Sequence, residues 1–533
     1  MRKLHHIGLL IAFVCLATGV ARAQSFRVQC PTSTITHPTA ANNNSEPAYT
    51  APTFTSGQTY VTSHAGHVNG AIKCQQISGG DGFATMGDGT QTYLFSFGPL
   101  SGLRDIASGQ PGTEFPNVFN TVYSGAPLQP GDPATTGSGF SYNGAVGLVP
   151  DLDNGGVIDG HVDPRPIEDV GVMNGNIPAP LMAIDEDDEF FLTLTNVGMI
   201  MRPDLFEQHT VHFHGYPNAS SFYDGVPDAS VAINIGGSFT YYYLAPDAGT
   251  YFWHCHITPP EHLQMGMVGQ IYVRPRQNRV PSTTTLYAAL QLQETDPRTA
   301  CRRPNDNVSP TVTTSPDILC SNPLPTVNTL VSGGAKYAYN DGDGSTAYDV
   351  EYPIQIHGFD PNFHFVGMTF NPENFVDMKD KYFLLNGRSY PDTVTAGPLK
   401  TQSADGVDHF AQPLPTIINI PAGKKALLRI SDLDVTEFQT LASLGISMQV
   451  IAINAKLLRD QAGNNLYYNT NSITLGGGES LDVILDACAV RASTGSCTTP
   501  MATGTYYLYT PNLDHLSNDA ENFGGLMTEV HVN

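Results

Sequence analysis

The sequence predicts an all-β protein built from sandwiches of short antiparallel strands, and three observations carry that prediction. Glycine (52 residues) and proline (39) are frequent, only 14% of residues are charged, and a helical apolar period is hard to find. Segments such as "DEFFLTLTNV" (188–197), "SFTYYYLA" (238–245), "KKALLRIS" (424–431) and "ESLDVILDA" (479–487) alternate or run apolar over strand lengths, with turn residues between them. The third observation is a repeat. "GTYFWHCHITPPEHLQMGMVGQIYV" (249–273) and "GTYYLYTPNLDHLSNDAENFGGLMTEVHV" (504–532) share an opening, so two related sandwiches are expected.

Taken in order, residues 1–23, "MRKLHHIGLLIAFVCLATGVARA", have a basic start, an apolar run from Ile7 to about Val20 and a small-x-small ending. This predicts a secretory signal peptide and a secreted or periplasmic protein. The run is short for a bilayer span, and no later stretch is apolar enough to make one. Residues 24–89, rich in Ser, Thr, Asn, Ala and Gly, are expected to form a partly irregular extension. A first sandwich follows over 90–278, with a Gly/Pro-rich insertion near 101–170, and a second over 283–533; the boundary falls near "RPRQNRVPST" (274–283). "DEDDE" (185–189) reads as a charged turn before a strand. "DLDNGGVIDG" (151–160) and "NDGDGSTAYD" (340–349) read as solvated turns, neither fitting an EF-hand loop.

The formal net charge is −24, which argues against nucleic acid as a partner and favours solubility and cationic partners. Past the leader, Cys30 and Cys74, Cys301 and Cys320, and Cys488 and Cys497 are neighbours in sequence, which leaves Cys255 as the odd thiol. Proximity groups these cysteines without fixing their connectivity.

Six of the 17 histidines lie between residues 209 and 262. In "HTVHFHG" His212 and His214 share one strand face; in "HCH" His254 and His256 share a face and Cys255 points to the other. Two such strands side by side gather four imidazoles on one face and a thiolate on the opposite one, which places two metal sites back to back. On the thiolate side stand His209, His262 and Met267, with Met265 a rival to Met267. A His₂Cys set with a weak axial Met is blue-copper chemistry. Zinc, or a buried free thiol, are the alternatives.

The blocks "HFHGYPNASSFYDGVP", "GTYFWHCH", "FLLNGRSYPDT" and "INIPAGKKALLRISD" resemble those of the multicopper oxidase and cupredoxin superfamily. The resemblance implies two cupredoxin-like Greek-key β-sandwich domains, the first binding copper and the second copper-free. It implies His209, Cys255, His262 and Met267 as type 1 copper ligands. His212, His214, His254 and His256 match histidines of the coupled type 2/type 3 centre, and His254, Cys255 and His256 are the catalytic electron path. Two departures stand out. His262 follows Cys255 later than is usual, with Pro259-Pro260 in the gap. The second domain has Tyr509, Thr510 and Pro511 where ligands would stand, and "LGISMQVIA" has no histidine. His515 is read as a surface residue, and His357 and His364 as core or surface histidines. The function implied is a copper oxidoreductase with dioxygen as acceptor, its second site completed by another subunit or a partner. A non-catalytic blue-copper carrier and a nitrite-reductase-like enzyme are the alternatives; no motif names the electron donor.

Overall fold

The computed structural model describes residues 28–48, 70–120, 175–280 and 335–533, apart from short stretches at 103–104, 107, 200, 203, 216–220, 246, 368–373, 403–407 and 461–462. The expected leader, most of the insertion, the 151–160 turn and the Cys301/Cys320 pair lie outside the described residues.

The first sandwich is built from two four-stranded sheets. One has the order β2-β1-β4-β6 and the other β3-β8-β7-β5. These strands are β1 (Ile72–Thr85), β2 (Gln91–Pro99), β3 (Met182–Asp185), β4 (Glu189–Gly198), β5 (His212–Phe213), β6 (Ser238–Leu244), β7 (Gly249–His254) and β8 (Val268–Arg274). Apolar residues at alternate positions of both sheets, among them Ile77, Phe97, Leu192, Tyr241 and Ile271, meet around Trp253, which stacks on Phe97 at 5.4 Å.

The stretch 24–89, expected to be partly irregular, contributes a long strand to the first sandwich: β1 has 14 residues and pairs antiparallel with β2 and parallel with β4. Its "SGGDG" composition looks like a loop because the glycines serve close approach rather than turning. A Cβ on Gly82 would meet the backbone of Gly175 at 2.3 Å, and one on Gly79 would meet the His209 ring at 2.5 Å. The Cys30–Cys74 disulfide ties the preceding segment to β1, Cys488–Cys497 closes a hairpin in the second sandwich, and Cys255 is free and buried.

The second sandwich uses β9 (Val350–Phe359), β10 (Tyr382–Leu385), β11 (Ile418–Ile420), β12 (Lys425–Asp432), β13 (Gln439–Leu444), β14 (Met448–Ile453), β15 (Ser472–Leu475), β16 (Ser480–Asp486), β17 (Gly504–Tyr509) and β18 (Met527–Val532). One sheet runs β10-β9-β12-β16-β14 with two short strands beyond, the other β11-β18-β17-β13-β15. Its own core includes Ile356, Leu428, Val450, Val483 and Leu508. The repeat is literal at the backbone. Gly249 opens β7 opposite Val273 and Gly504 opens β17 opposite Val532, both at φ 154°.

The sandwiches meet through β7 and β8 on one side and β12 and β16 on the other. Thr250 Oγ1 donates to Asp482 (2.6 Å), Ser480 Oγ to the Thr250 carbonyl (2.7 Å), and Gln270 Nε2 to the Arg429 carbonyl (2.9 Å). Arg429 is wholly buried and pairs with Glu351 at 3.0 Å and Asp482 at 3.8 Å. The "DEDDE" segment forms a charged turn before β4, and it is largely buried. Arg276 reaches Glu186 (3.3 Å) and Asp187 (2.9 Å), and Glu189 pairs with His37 (2.8 Å), so its charges are matched by partners remote in sequence. In the 340–349 turn, Asp341 is also buried, accepting from the Thr346 N–H (2.6 Å). Among the described residues no helix is long and apolar enough to cross a membrane.

Candidate metal centres

β7 ends at His254, and the chain turns through Cys255 into a short helix, α1 (Pro259–Gln264), before returning as β8. Thr258, ahead of α1, sits at φ 36° and ψ 60° without a side-chain cap. A β-branched residue in that region is imposed by its surroundings. Two backbone bonds close the loop on itself: Cys255 N–H donates to Met267 O (3.0 Å), and Met267 N–H to His262 O (2.9 Å).

Inside this loop His209, Cys255 and His262 bring one ligand atom each within 4.8 Å of the others. Cys255 Sγ lies 3.4 Å from His262 Nδ1 and 4.0 Å from His209 Nδ1. An ion about 2.0 to 2.3 Å from N and S donors in a trigonal plane separates them by about 3.7 Å, so the spacing suits one shared cation. All three residues are fully buried, as is Met267, with Met265 scarcely less so. Burial pushes the Cys255 thiol up to about 11, against N–H groups of Ile257 and Thr210 that pull it down. Burial also drops His262 to about 3 and His209 well below its ordinary value. Neutral imidazoles and a thiol that ionises only beside a positive charge are donors waiting on a metal. This donor set fits copper.

The opposite face holds His212, His214 and His254, whose ligand atoms also lie within 4.8 Å of one another. β5 pairs with β7 so that His212 faces His254 directly. His212 Nδ1 is committed to the Asp224 carbonyl and His254 Nδ1 to the Cys255 carbonyl, both at 2.6 Å, which leaves each Nε2 as the atom that could bind a metal. His254 Nε2 lies 2.9 Å from His214 Nε2, a separation that requires a proton or a cation between them. Burial and neighbouring imidazoles lower His214 to about 4; burial above all lowers His254 to about 3. The His256 ring stands 5.2 Å from His212 and 5.5 Å from His254, and the His256 backbone N–H donates to Thr210 Oγ1 at 2.9 Å.

This face opens on a cleft of about 410 Å³ between the two sandwiches, with His214 and His254 on one wall, Pro260 and Leu263 of α1 beside them, and Glu437 and Phe438 opposite. Among the described residues, the second sandwich contributes no histidine to its lining. His515 departs from its expected surface position: it is buried, stacks on Phe383 at 3.8 Å and bonds Gln439 and Asn512. His357 and His364 lie in the core against α1.

Four contributors are not singled out by the sequence reading. Gly79 lets β1 pass under His209, and Thr210 supports the Cys255 turn. Glu207 reaches within 3.9 Å of His262 Nε2, and Gln264 anchors α1. Only Thr210 had a visible clue, lying between His209 and His212.

Residues 159–278 match a family model described as multicopper oxidase. The laccase abr2 of Aspergillus fumigatus is 34% identical over 109 residues, 20% of this chain and 17% of that protein. A multicopper oxidase of Talaromyces pinophilus is 33% identical over 120 residues, 22% of this chain and 18% of that one. A copper-containing nitrite reductase of Rhizobium meliloti is 35% identical over 110 residues, 20% of this chain and 26% of that one. The chain thus spans under a fifth of the length of the first two relatives.

Proposed function

We propose that the chain, whose residues 159–278 match a multicopper oxidase family model, is a secreted copper-dependent oxidase that passes electrons from a type 1 copper to a second, histidine-bound copper. His209, Cys255, His262 and Met267 would hold the first, and His212, His214 and His254 the second, with His256 alongside. Copper, when bound, supplies reversible one-electron chemistry at both places.

The observation that carries this reading is the adjacency of the two donor sets. Cys255 belongs to one and His254 to the other, and the Cys255 carbonyl accepts the His254 Nδ1 proton at 2.6 Å. A few covalent bonds and one hydrogen bond therefore join the thiolate to the opposite imidazole. The chain's own residues do the rest. They keep the imidazoles neutral, exclude water from the thiolate, and leave the three-histidine face open to a cleft large enough for a small acceptor.

Dioxygen is the acceptor this reading takes, with copper at the second face completed by another subunit or a partner. Secretion is supported by the Cys30–Cys74 and Cys488–Cys497 disulfides, which persist in oxidising compartments. A nitrite-reductase-like enzyme is the second reading, favoured by the compact three-histidine group and by the Rhizobium meliloti relative.

Copper content with electron paramagnetic resonance on the purified protein tests both. The oxidase requires a type 1 signal, further copper at the histidine face, and oxygen uptake with a reducing donor. Type 1 copper alone would leave a simple electron carrier. Nitrite consumption without oxygen uptake would favour the second reading.

A further inference from the structure

Among the described residues the second sandwich offers no metal ligand at the site, yet it is hydrogen-bonded to the metal loop at Gln264. We propose that His357 and His364 of this sandwich are positioning residues for the first metal centre, clamping α1 through Gln264 and thereby setting where His262 and Met267 stand. The inference rests on reading His209, Cys255, His262 and Met267 as one copper site.

The argument begins with the short helix. Six residues make less than two turns, too few to hold themselves in water. A helix also leaves its last carbonyls without intrahelical partners. Here three of them are met within the loop: Glu261 O by Met265 N–H (3.1 Å), His262 O by Met267 N–H (2.9 Å) and Leu263 O by Gly266 N–H (3.0 Å). The remaining one, Gln264 O, is met from the second sandwich by His357 Nε2 at 3.0 Å.

The Gln264 side chain is used as fully. It is wholly buried, and its Oε1 accepts from His364 Nε2 (3.0 Å) and from the Asp360 N–H (3.1 Å), while its Nε2 donates to Asp380. Four hydrogen bonds from β9, α2 (Pro361–Gly367) and the segment before β10 therefore end on one residue, two positions after His262 and three before Met267. Both histidines do this as neutral donors through Nε2–H, and burial lowers the pKa of each, so the clamp stays closed through the neutral range. His364 also stacks on Phe359 at 5.2 Å, which fixes its ring plane. Leu263 of α1 also packs against Leu433 and Val435 of the second sandwich, an apolar contact without direction, while Thr258 in a left-handed conformation at the helix start adds no side-chain cap.

The test uses full-length protein and two readouts, neither of which is turnover. In the copper-loaded protein, the position and intensity of the blue absorption and the copper hyperfine splitting report ligand geometry. In the metal-free protein, the rate of Cys255 alkylation by iodoacetamide under native conditions reports opening of the loop. His357→Leu removes the donor to Gln264 O, and His357→Gln restores an Nε2 donor at similar reach. We expect His357→Leu and His364→Phe to shift the blue spectrum and hyperfine splitting and to speed alkylation by ~10-fold, the scale of one lost buried hydrogen bond. His357→Gln should return both readouts toward the parent.

Unchanged spectra and alkylation in both variants, with copper bound as in the parent, would overturn the clamp. If His357→Leu does not fold, His364→Phe decides by the same two readouts. Absence of a blue band in the parent would instead sink the copper reading itself, so the two failures are separable.

Discussion

Gly79 of β1 passes so close beneath the His209 imidazole that a methyl group added there would come within 2.5 Å of its Cδ2. Neither can retreat easily, since β1 is hydrogen-bonded on both edges and His209 is tied by its backbone to Ile233. Gly79→Ala is therefore expected to cost ~1–3 kcal/mol by overpacking. It should also displace one ligand of the first centre. Thermal unfolding and the blue absorption of the copper-loaded variant check the two effects separately.

Cys255→Ser removes the soft donor and keeps the size. The expected outcome is loss of the blue absorption while copper at the three-histidine face persists as a type 2 resonance signal. A blue band surviving in this variant would contradict the assignment of Cys255.

His214→Ala takes away one of three donors on the opposite face without touching the buried thiol. Affinity for the second copper should fall by more than the ~10–100-fold that a lost supporting contact costs a metal site. The blue absorption should remain. Titration against a competing chelator, followed by resonance spectroscopy, measures both.

Acid should loosen the junction between the sandwiches. Although burial opposes it, the charges of Arg429 and Arg274 hold the Glu351 carboxyl down at about 2. A depressed carboxylate contributes stability that is present above its unfolded value, about 4.3, and lost as pH falls toward about 2. Asp482 works in the opposite sense, burial raising its pKa. Glu351→Gln should therefore flatten the fall in stability between about pH 4.3 and 2. It should also destabilise the protein by ~3–5 kcal/mol at neutral pH, since it leaves Arg429 buried with a weakened partner. Denaturant unfolding across that pH range is the measurement.

What could be read from the sequence follows the range of the forces involved. Strand alternation is local, so "HTVHFHG" and "HCH" already place His212, His214 and His254 on one face and Cys255 on the other. The repeated Gly-Thr-Tyr is equally local and marks β7 and β17 as counterparts. The residues misjudged are those whose environment is made by distant chain. The 340–349 turn looks solvated until Gln277 and Thr346 close over Asp341. His515 looks superficial until Phe383 and Gln439 cover it. Gly79 looks like loop composition until the His209 ring arrives above it, and Gln264 carries no pattern at all because its four partners lie about a hundred residues further on.

β7 and β17 leave their opening glycines at the same φ of 154° and pair with returning strands in the same register, yet one ends in His-Cys-His and the other in Tyr-Thr-Pro. The scaffold is thus indifferent to its cargo: a handful of side chains past the strand end separates a set of candidate metal donors from a bare support. On the proposed reading, redox capacity is a detachable accessory of this architecture, and the half without it is free to be shaped for holding the other still.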